Sequence, residues 1–100
     1  MVTLEPVQVG NYILVGVEVK LPKTTLLSIS TSRGYIMCGA LDIGLLNETL
    51  SDRQIIAARA VGVRTLPQLL AAPLESVTIE AEKLGIVPGM TGAEALLLMV

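Results

Sequence analysis

The sequence predicts an α+β domain, in which a mostly antiparallel or mixed N-terminal sheet carries C-terminal helices on one face. Three observations indicate this class. The first forty residues alternate with the period of two that strands require. The stretch Tyr35–Ala40 is apolar at nearly every position, as in a central strand. The last third contains several helix-start signals. A chain of 100 residues corresponds to a single domain, residues 1–100.

The first two predicted strands form a hairpin. Val2–Val9 is expected at the edge of the sheet, because Pro6 is tolerated there or at a bulge. Gly10 and Asn11 then form a turn. Tyr12–Leu21 is the second strand, and its alternation gathers apolar side chains on one face. These are Ile13, Val15, Val17, Val19 and Leu21.

Further strands follow at shorter intervals. Pro22–Thr24 breaks the pattern, Leu26–Ser30 is a third strand, and Ser32–Gly34 turns the chain again. Tyr35–Ala40 is the predicted central strand, and Ile55–Val63 is another buried strand. The passage between these two strands could supply one parallel pairing through a right-handed crossover.

The first two predicted helices begin at side chains suited to cap them. Asp42 can accept hydrogen bonds from free backbone N–H groups in the first turn of a helix. Thr65 and Gln68 have the spacing of a capping box, with Pro67 tolerated in the first turn. We therefore expect one helix after Asp42 and another after Thr65.

Two more helices are predicted towards the C-terminus. Pro73 ends the preceding helix and begins the next, which Gly85 terminates as a C-cap. Thr91 and Glu94 form a second capping box and begin a final apolar helix. The apolar stripe predicted for the helix after Pro73 consists of Leu74, Val77, Ala81 and Leu84.

The composition predicts self-association. Hydrophobic residues make up 52% of the chain and charged residues 16%, whereas about a quarter of an average domain is charged. Small domains bury a smaller share of their surface than large ones. The chain therefore has more apolar side chains than one small domain is expected to bury. A homo-oligomer interface, which resembles a core cut in half, is expected to bury the remainder. The alternative is a monomer with scattered exposed apolar side chains.

Several classes of partner are unexpected for this sequence. Charges interrupt the chain too often for a membrane span, and the N-terminus lacks the positive start of a signal peptide. A single cysteine forms no disulfide within the chain, which favours the cytoplasm. The net charge of −2 and the absence of a basic cluster argue against nucleic acid.

Catalytic chemistry has few candidate residues, because the chain contains no histidine. Ser-His-Asp and Cys-His catalysis and imidazole-based metal sites are therefore excluded within one chain, and no cofactor or metal is expected. Cys38 and Asp42 are the catalytic candidates, since a thiol at a strand-to-helix corner is activated by the helix N-terminus. The alternative makes Cys38 a small buried hydrophobe and Asp42 an ordinary N-cap.

Three arginines are candidates for binding an anion. Arg59 lies in an apolar stretch, where its charge needs a carboxylate or a bound anion. Arg64 precedes a predicted helix start, and Arg33 lies in the turn before the cysteine strand. The alternative pairs these arginines with carboxylates of the chain itself. Those carboxylates are Asp42, Glu48 and Asp52.

The sequence also resembles the YunC family, a bacterial and archaeal group of small domains of unknown function. The resemblance is carried by Gly34–Asp42, Leu45–Glu48, Arg59–Thr65 and Ala72–Val77, and it covers essentially the whole chain. It implies a cytoplasmic, single-domain prokaryotic protein and assigns no catalytic residue.

Two functional hypotheses follow, and whether the protein is an enzyme is left open. The first is a homo-oligomeric interaction or scaffold protein with a buried, inert Cys38. The second is a small-anion-binding protein or thiol-dependent enzyme, in which arginines hold an anion beside Cys38. Slow alkylation of the native thiol favours the first hypothesis, and fast alkylation that anions slow favours the second.

Overall fold

The computed structural model of the protein describes residues 1–39 and 54–100, and these ranges contain six strands and three helices. The strands are β1 (Val2–Val9), β2 (Tyr12–Leu21), β3 (Thr24–Ser30), β4 (Gly34–Met37), β5 (Ile56–Arg59) and β6 (Ser76–Val77). The helices are α1 (Leu66–Ala71), α2 (Ile79–Lys83) and α3 (Gly92–Met99).

The strands form one sheet in the order of the chain, β1-β2-β3-β4-β5-β6. Neighbouring strands are antiparallel except β4 and β5, which are parallel. The predicted α+β class is therefore confirmed, with a sheet that is mixed rather than mostly antiparallel. The single parallel pairing lies between the two strands for which the sequence suggested it. The helix predicted after Asp42 lies outside the described residues.

The β1–β2 hairpin has the predicted boundaries at both strands. Val9 pairs with Tyr12 across a turn in which Gly10 adopts a φ of +60°, a conformation that favours glycine. The turn between β2 and β3 places Lys23 at a φ of +65° directly after Pro22. Both turns connect adjacent antiparallel strands, as short connections do.

Two glycines allow the helices to pack closely on the sheet. A Cβ at Gly16 would lie 2.6 Å from Val7 Cγ2 and 2.9 Å from Leu66 Cδ1. A Cβ at Gly92 would overlap the backbone carbonyl of Leu69 and lie 2.8 Å from Ile36 Cδ1. Helices α1 and α3 therefore cover the sheet face to which Gly16 and Ile36 belong.

The core lies between this sheet face and the helices. Its largest fully buried apolar side chains come from β3, β4, α1, α3 and the segment between α2 and α3. They are Leu27, Ile29, Ile36, Leu69, Ile86, Leu96 and Met99. Among the helices of residues 1–39 and 54–100, none is long and apolar enough to cross a membrane.

The helix predicted to begin at Pro73 is wrong. Ser76–Val77 instead forms β6, which pairs with β5, and the helix is limited to Ile79–Lys83. The hydroxyl of Thr78 accepts hydrogen bonds from the N–H groups of Ala57 (3.1 Å) and Ala81 (3.2 Å). This side chain both caps α2 and holds β5, so pairing at the sheet edge overrides the helical spacing of the apolar residues.

The other predicted helix ends that lie within the described residues agree with the structure, with one difference. Thr91 and Glu94 form the complete capping box of α3, and Gly85 follows α2 at a φ of +91°. Thr65 accepts from the Gln68 N–H at 3.2 Å. The Gln68 side chain, however, accepts from the N–H of Arg64 at 2.7 Å rather than from that of Thr65. The return bond of this cap is therefore displaced by one residue.

Candidate functional site

Among residues 1–39 and 54–100, the helices cover one face of the strands β1, β2 and β3, and the other face of these strands has no helix on it. Alternation along each strand and the register between strands assign every residue to a face. Gly16 pairs with Ile29, and both lie on the helix side. The neighbouring residue Val17 pairs with Leu4 and with Ser28, so these three lie on the other side. We call this second side the open face.

The open face is apolar and largely exposed, although Val17, Val19 and Leu26 on it are half-buried. Ile13 is 73% exposed and Leu4 is 69% exposed, although both lie within regular strands. The apolar residues of the open face on these three strands are Val2, Leu4, Pro6, Ile13, Val15, Val17, Val19, Leu21 and Leu26. An exposed apolar patch rimmed by polar residues is typical of an interaction site.

The charged residues of the same hairpin and Thr3 lie on the helix side, whereas Gln8 lies on the open face opposite Ile13. Thr3 pairs with Glu18, Glu5 pairs with Gly16, and Lys20 continues the same alternation. Thr3, Glu5 and Lys20 are exposed and Glu18 is partly exposed, so the helices do not extend over this end of the hairpin. At this end of the hairpin, polar side chains therefore lie on the helix side and apolar side chains on the opposite side. This is the reverse of the usual arrangement, in which apolar side chains face the core.

The second feature is a cleft of about 650 Å³ at one end of the sheet, where the β2–β3 turn meets the segment between β5 and α1. Three cationic side chains line it, and we call it the cationic cleft. Its described lining residues are Lys20, Leu21, Lys23, Thr24, Thr25, Gly62, Val63 and Arg64.

The positive charge of the cationic cleft is only partly balanced by carboxylates. Lys20 Nζ lies 3.8 Å from Glu18 Oε1. Within residues 1–39 and 54–100, Lys23 and Arg64 have no salt bridge. None of the described lining residues is acidic, so these residues together carry net positive charge.

Cys38 contacts one lining residue of this cleft, Thr25, and is almost completely buried, at 6% exposure. Its thiol points towards the carbonyl oxygen of Thr25 at 4.0 Å, and its N–H donates to the carbonyl of Leu27 at 3.1 Å. Thr25 is shared between the thiol and the cleft. The thiol therefore belongs to the core and is connected to the cleft through Thr25.

Arg59 lies at the same end of the sheet but on the other face. It pairs with Met37 in the parallel register, and alternation turns the next residue, Cys38, to the helix side. Arg59 Nε is buried without a hydrogen-bond partner among the described residues, and it lies 3.8 Å from Glu75 Oε2. Glu75 is thus the salt-bridge partner of Arg59 among the described residues. The three carboxylates considered in the sequence, Asp42, Glu48 and Asp52, lie outside those residues.

Arg33 lies at the opposite end of β4 from Cys38, because it precedes the strand that Cys38 follows. Its N–H donates to the hydroxyl of Thr31 at 3.1 Å within the turn that leads to Gly34. The structure therefore separates Arg33 from the thiol by the length of β4. Asp42 lies outside the described residues, and the catalytic roles of Cys38 and Asp42 remain predictions.

Comparison with known proteins assigns the family. Residues 37–99 match the family model described as a domain of unknown function, DUF1805, and this range is more than half of the chain. The chain belongs to the DUF1805 family.

Two similar proteins match over all 100 residues of this sequence. The uncharacterized protein YunC of Bacillus subtilis is 58% identical over 100 residues, which are 100% of this chain and 99% of that protein. The predicted resemblance to the YunC family is thus confirmed. The crystal structure of a protein of unknown function from Thermoplasma acidophilum has a TM-score of 0.88 at 30% identity. The match covers 100% of this chain and 94% of that one.

The cationic cleft of this DUF1805 chain was not predicted from the sequence. Lys20 and Lys23 are close along the chain, but Arg64 follows about forty residues later. The sheet brings the β2–β3 turn and the segment after β5 to the same end. The available signal was local, namely two lysines and two threonines around Pro22, in a turn that the sequence already indicated.

Proposed function

We propose that this DUF1805 chain is an interaction protein that associates with a second copy of itself through the open face. The observation that carries the proposal is the reversed polarity of the β1–β2 hairpin. There, apolar side chains such as Leu4 and Val17 are turned away from the helices, and polar ones such as Glu18 are turned towards them. The register of a strand follows its hydrophobic pattern when one face is to be buried. A second covering layer on the open face accounts for this pattern.

A second copy is the occupant that suits the open face best. The face carries no charged side chain on β1, β2 or β3, so the same surface can lie against itself without repulsion. Two-fold symmetric dimers use one self-complementary patch on both subunits. Two sheets stack face to face in this way at about 10 Å, as they do in sandwiches.

The size of the face is adequate for a specific contact. The ten residues of β2 span about 33 Å, and three strands span about 14 Å, from the usual rise and spacing of strands. Two faces of these dimensions present about 900 Å² before side-chain relief is counted, near the roughly 1,000 Å² at which specific interfaces begin.

The cellular setting proposed with this function is the cytoplasm. The chain has one cysteine, and that cysteine is free and buried. Disulfide-stabilised small domains are typical of oxidising compartments, whereas this domain gains no stability from a disulfide within the chain. A scaffold built from paired copies is the role that we assign to it there.

Sedimentation equilibrium of the unmodified chain and of Leu4→Glu and Val15→Glu tests the proposal. Both positions are at least half exposed within one copy, so the variants are expected to fold. The unmodified chain is expected at twice the 10.5 kDa of one copy. Each variant is expected to sediment as a single copy, because an unpaired carboxylate opposes burial in the interface.

Val87→Glu is the matched control. Val87 is 48% exposed and lies between α2 and α3, outside the three strands that form the open face. The control is expected to keep the mass of the unmodified chain. A single-copy mass for the unmodified chain at high micromolar concentration contradicts the proposal. So does a paired mass that neither Leu4→Glu nor Val15→Glu reduces.

A further inference from the structure

We infer that the cationic cleft is a binding site for a small oxyanion with at least two negative charges, such as a phosphate monoester or a polycarboxylate. The inference does not depend on self-association, because Lys20, Lys23 and Arg64 are not residues of the open face, although the cleft meets that face at Leu21.

The first argument is the concentration of charge. The whole chain has seven lysines and arginines and a net charge of −2, yet Lys20, Lys23 and Arg64 share one cleft. Like charges held near one another are unfavourable. Glu18 is placed to offset Lys20 alone. A bound anion with two or more charges offsets the remaining repulsion.

The second argument is the chemistry of the donors. Arg64 offers a planar guanidinium that can hold two oxygens of one group, and the lysines offer ammonium donors on flexible stems. Thr24 and Thr25 add hydroxyl groups to the same lining. Guanidinium, ammonium and hydroxyl donors together suit the several oxygens of a phosphate or a carboxylate.

The third argument is that the backbone positions of these residues are fixed. Pro22 and the left-handed conformation of Lys23 define the turn on one side of the cleft. On the other side, the N–H of Arg64 donates to Gln68 Oε1 at 2.7 Å. Thr25 pairs with Lys20 across β2 and β3. A site with its walls in place before binding loses less entropy when the ligand enters.

The dimensions indicate a small ligand. A volume of about 650 Å³ is within the roughly 300–1,000 Å³ of small-molecule sites. Gly62 and Val63 close one side of the cleft without adding charge. We therefore assign the site to a compact anion rather than to an extended polymer.

Titration calorimetry with inorganic phosphate, phenyl phosphate and citrate, at constant ionic strength set by sodium chloride, tests the inference. At least one of the three is expected to bind saturably with one site per chain. Kd is expected to rise at least tenfold in Lys23→Gln and in Arg64→Gln. The comparison of phenyl phosphate with citrate distinguishes a phosphate site from a carboxylate site.

Two controls carry the same loss of charge elsewhere. They are Arg33→Gln and Lys83→Gln. Arg33 lies at the other end of β4, and Lys83 lies on α2, where it forms a salt bridge with Glu80. Both are expected to bind with unchanged Kd. The absence of saturable binding for all three probes overturns the inference. An equal loss of affinity in the controls and in the cleft variants also overturns it, since general charge would then explain the binding. The Val15→Glu variant is expected to retain binding, so failure here is distinguishable from failure of self-association.

Discussion

The two faces of the β1–β3 sheet have similar apolar side chains and different surroundings. Ile29 on the helix side is completely buried, whereas Ile13 on the open face is 73% exposed. Both residues occupy regular strands with a clean alternation. The difference shows that alternation identifies a strand without identifying the face that the rest of the chain covers.

The reach of the helices determines which positions are covered. Near the β1–β2 turn, Val7 and Leu14 are buried on the helix side. Further from the turn, Glu5 and Glu18 lie on the helix side, and the apolar residues of this part of the hairpin lie only on the open face. The hairpin is thus longer than the helical layer, and its outer half has an apolar surface on the side that a second copy would cover.

Truncation of a leucine on each of the two faces should give the largest difference in the free energy of unfolding. We expect Leu27→Ala to lower the free energy of unfolding by about 2–5 kcal/mol, since the fully buried side chain would leave a cavity. Leu4→Ala should change it by less than about 0.5 kcal/mol, as at other exposed sites. Urea unfolding in the Val15→Glu background measures both without a contribution from self-association.

Equal effects of the two leucine substitutions would contradict the assignment of the faces. A large effect of Leu4→Ala in that background would mean that this side chain is already covered within one copy.

The close contact of α3 with α1 can be disrupted by a single methyl group. Gly92→Ala should lower the free energy of unfolding by about 1–3 kcal/mol, because overpacking against backbone is not relieved by side-chain rotation. The new Cβ would meet the carbonyl of Leu69. Gly39→Ala is the control, since its Cβ would meet Val61 Cγ1 at an ordinary 3.6 Å. Similar thermal unfolding of the two variants would contradict this account of the helical side.

The hydroxyl of Thr78 is predicted to stabilise the edge of the sheet beside the covered face. Thr78→Val removes an acceptor that serves the N–H groups of Ala57 and Ala81. Because Thr78 is only 2% exposed, the substitution would leave buried donors without partners. We expect it to lower the free energy of unfolding by about 1–3 kcal/mol. Thr78→Ser should recover most of it. If serine and valine are equally destabilising, the hydroxyl has no such role.

The thiol of Cys38 should react slowly, because its exposure of 6% places it with the covered face. We expect alkylation by iodoacetamide at neutral pH to be much slower in the native protein than in urea. The reaction is measured by mass spectrometry of the intact chain. Rapid native labelling that phosphate or citrate slows would instead favour the thiol-dependent alternative.

The smallest effect is expected at the Arg59–Glu75 pair. These side chains are 30% and 44% exposed, at 3.8 Å, and exposed ion pairs contribute about 0–1 kcal/mol. Glu75→Gln should therefore lower the free energy of unfolding by no more than about 1 kcal/mol. A substantially larger loss would mean that Arg59 depends on this carboxylate as a buried charge does.

Local signals in the sequence predicted local structure well. The boundaries of β1 and β2 and the capping box of Thr91 and Glu94 agree with the structure, because each depends on residues close along the chain. The helix expected after Pro73 failed because Ser76–Val77 pairs with β5, and such pairing is not encoded in the spacing of apolar residues.

The arrangement of the candidate site was the least predictable part. The anion-binding hypothesis has arginines hold an anion beside Cys38, with Arg33, Arg59 and Arg64 as the candidates. The sheet order instead places Arg33 at one end of β4 and Arg64 beside Lys20 and Lys23 at the other. Strand order is set by long-range pairing, so residues that are distant in the sequence become neighbours without a local signal.

Isotope-filtered NOE spectroscopy tests the central claim most directly. The sample is an equal mixture of ¹³C-labelled and unlabelled chains. Filtered cross-peaks between the two kinds of copy are expected at the methyl groups of Ile13, Val15 and Val17, and not at those of Leu27 or Ile29. The absence of intermolecular cross-peaks at these open-face methyl groups, or their appearance only at helix residues, would contradict the claim that a second copy covers this face.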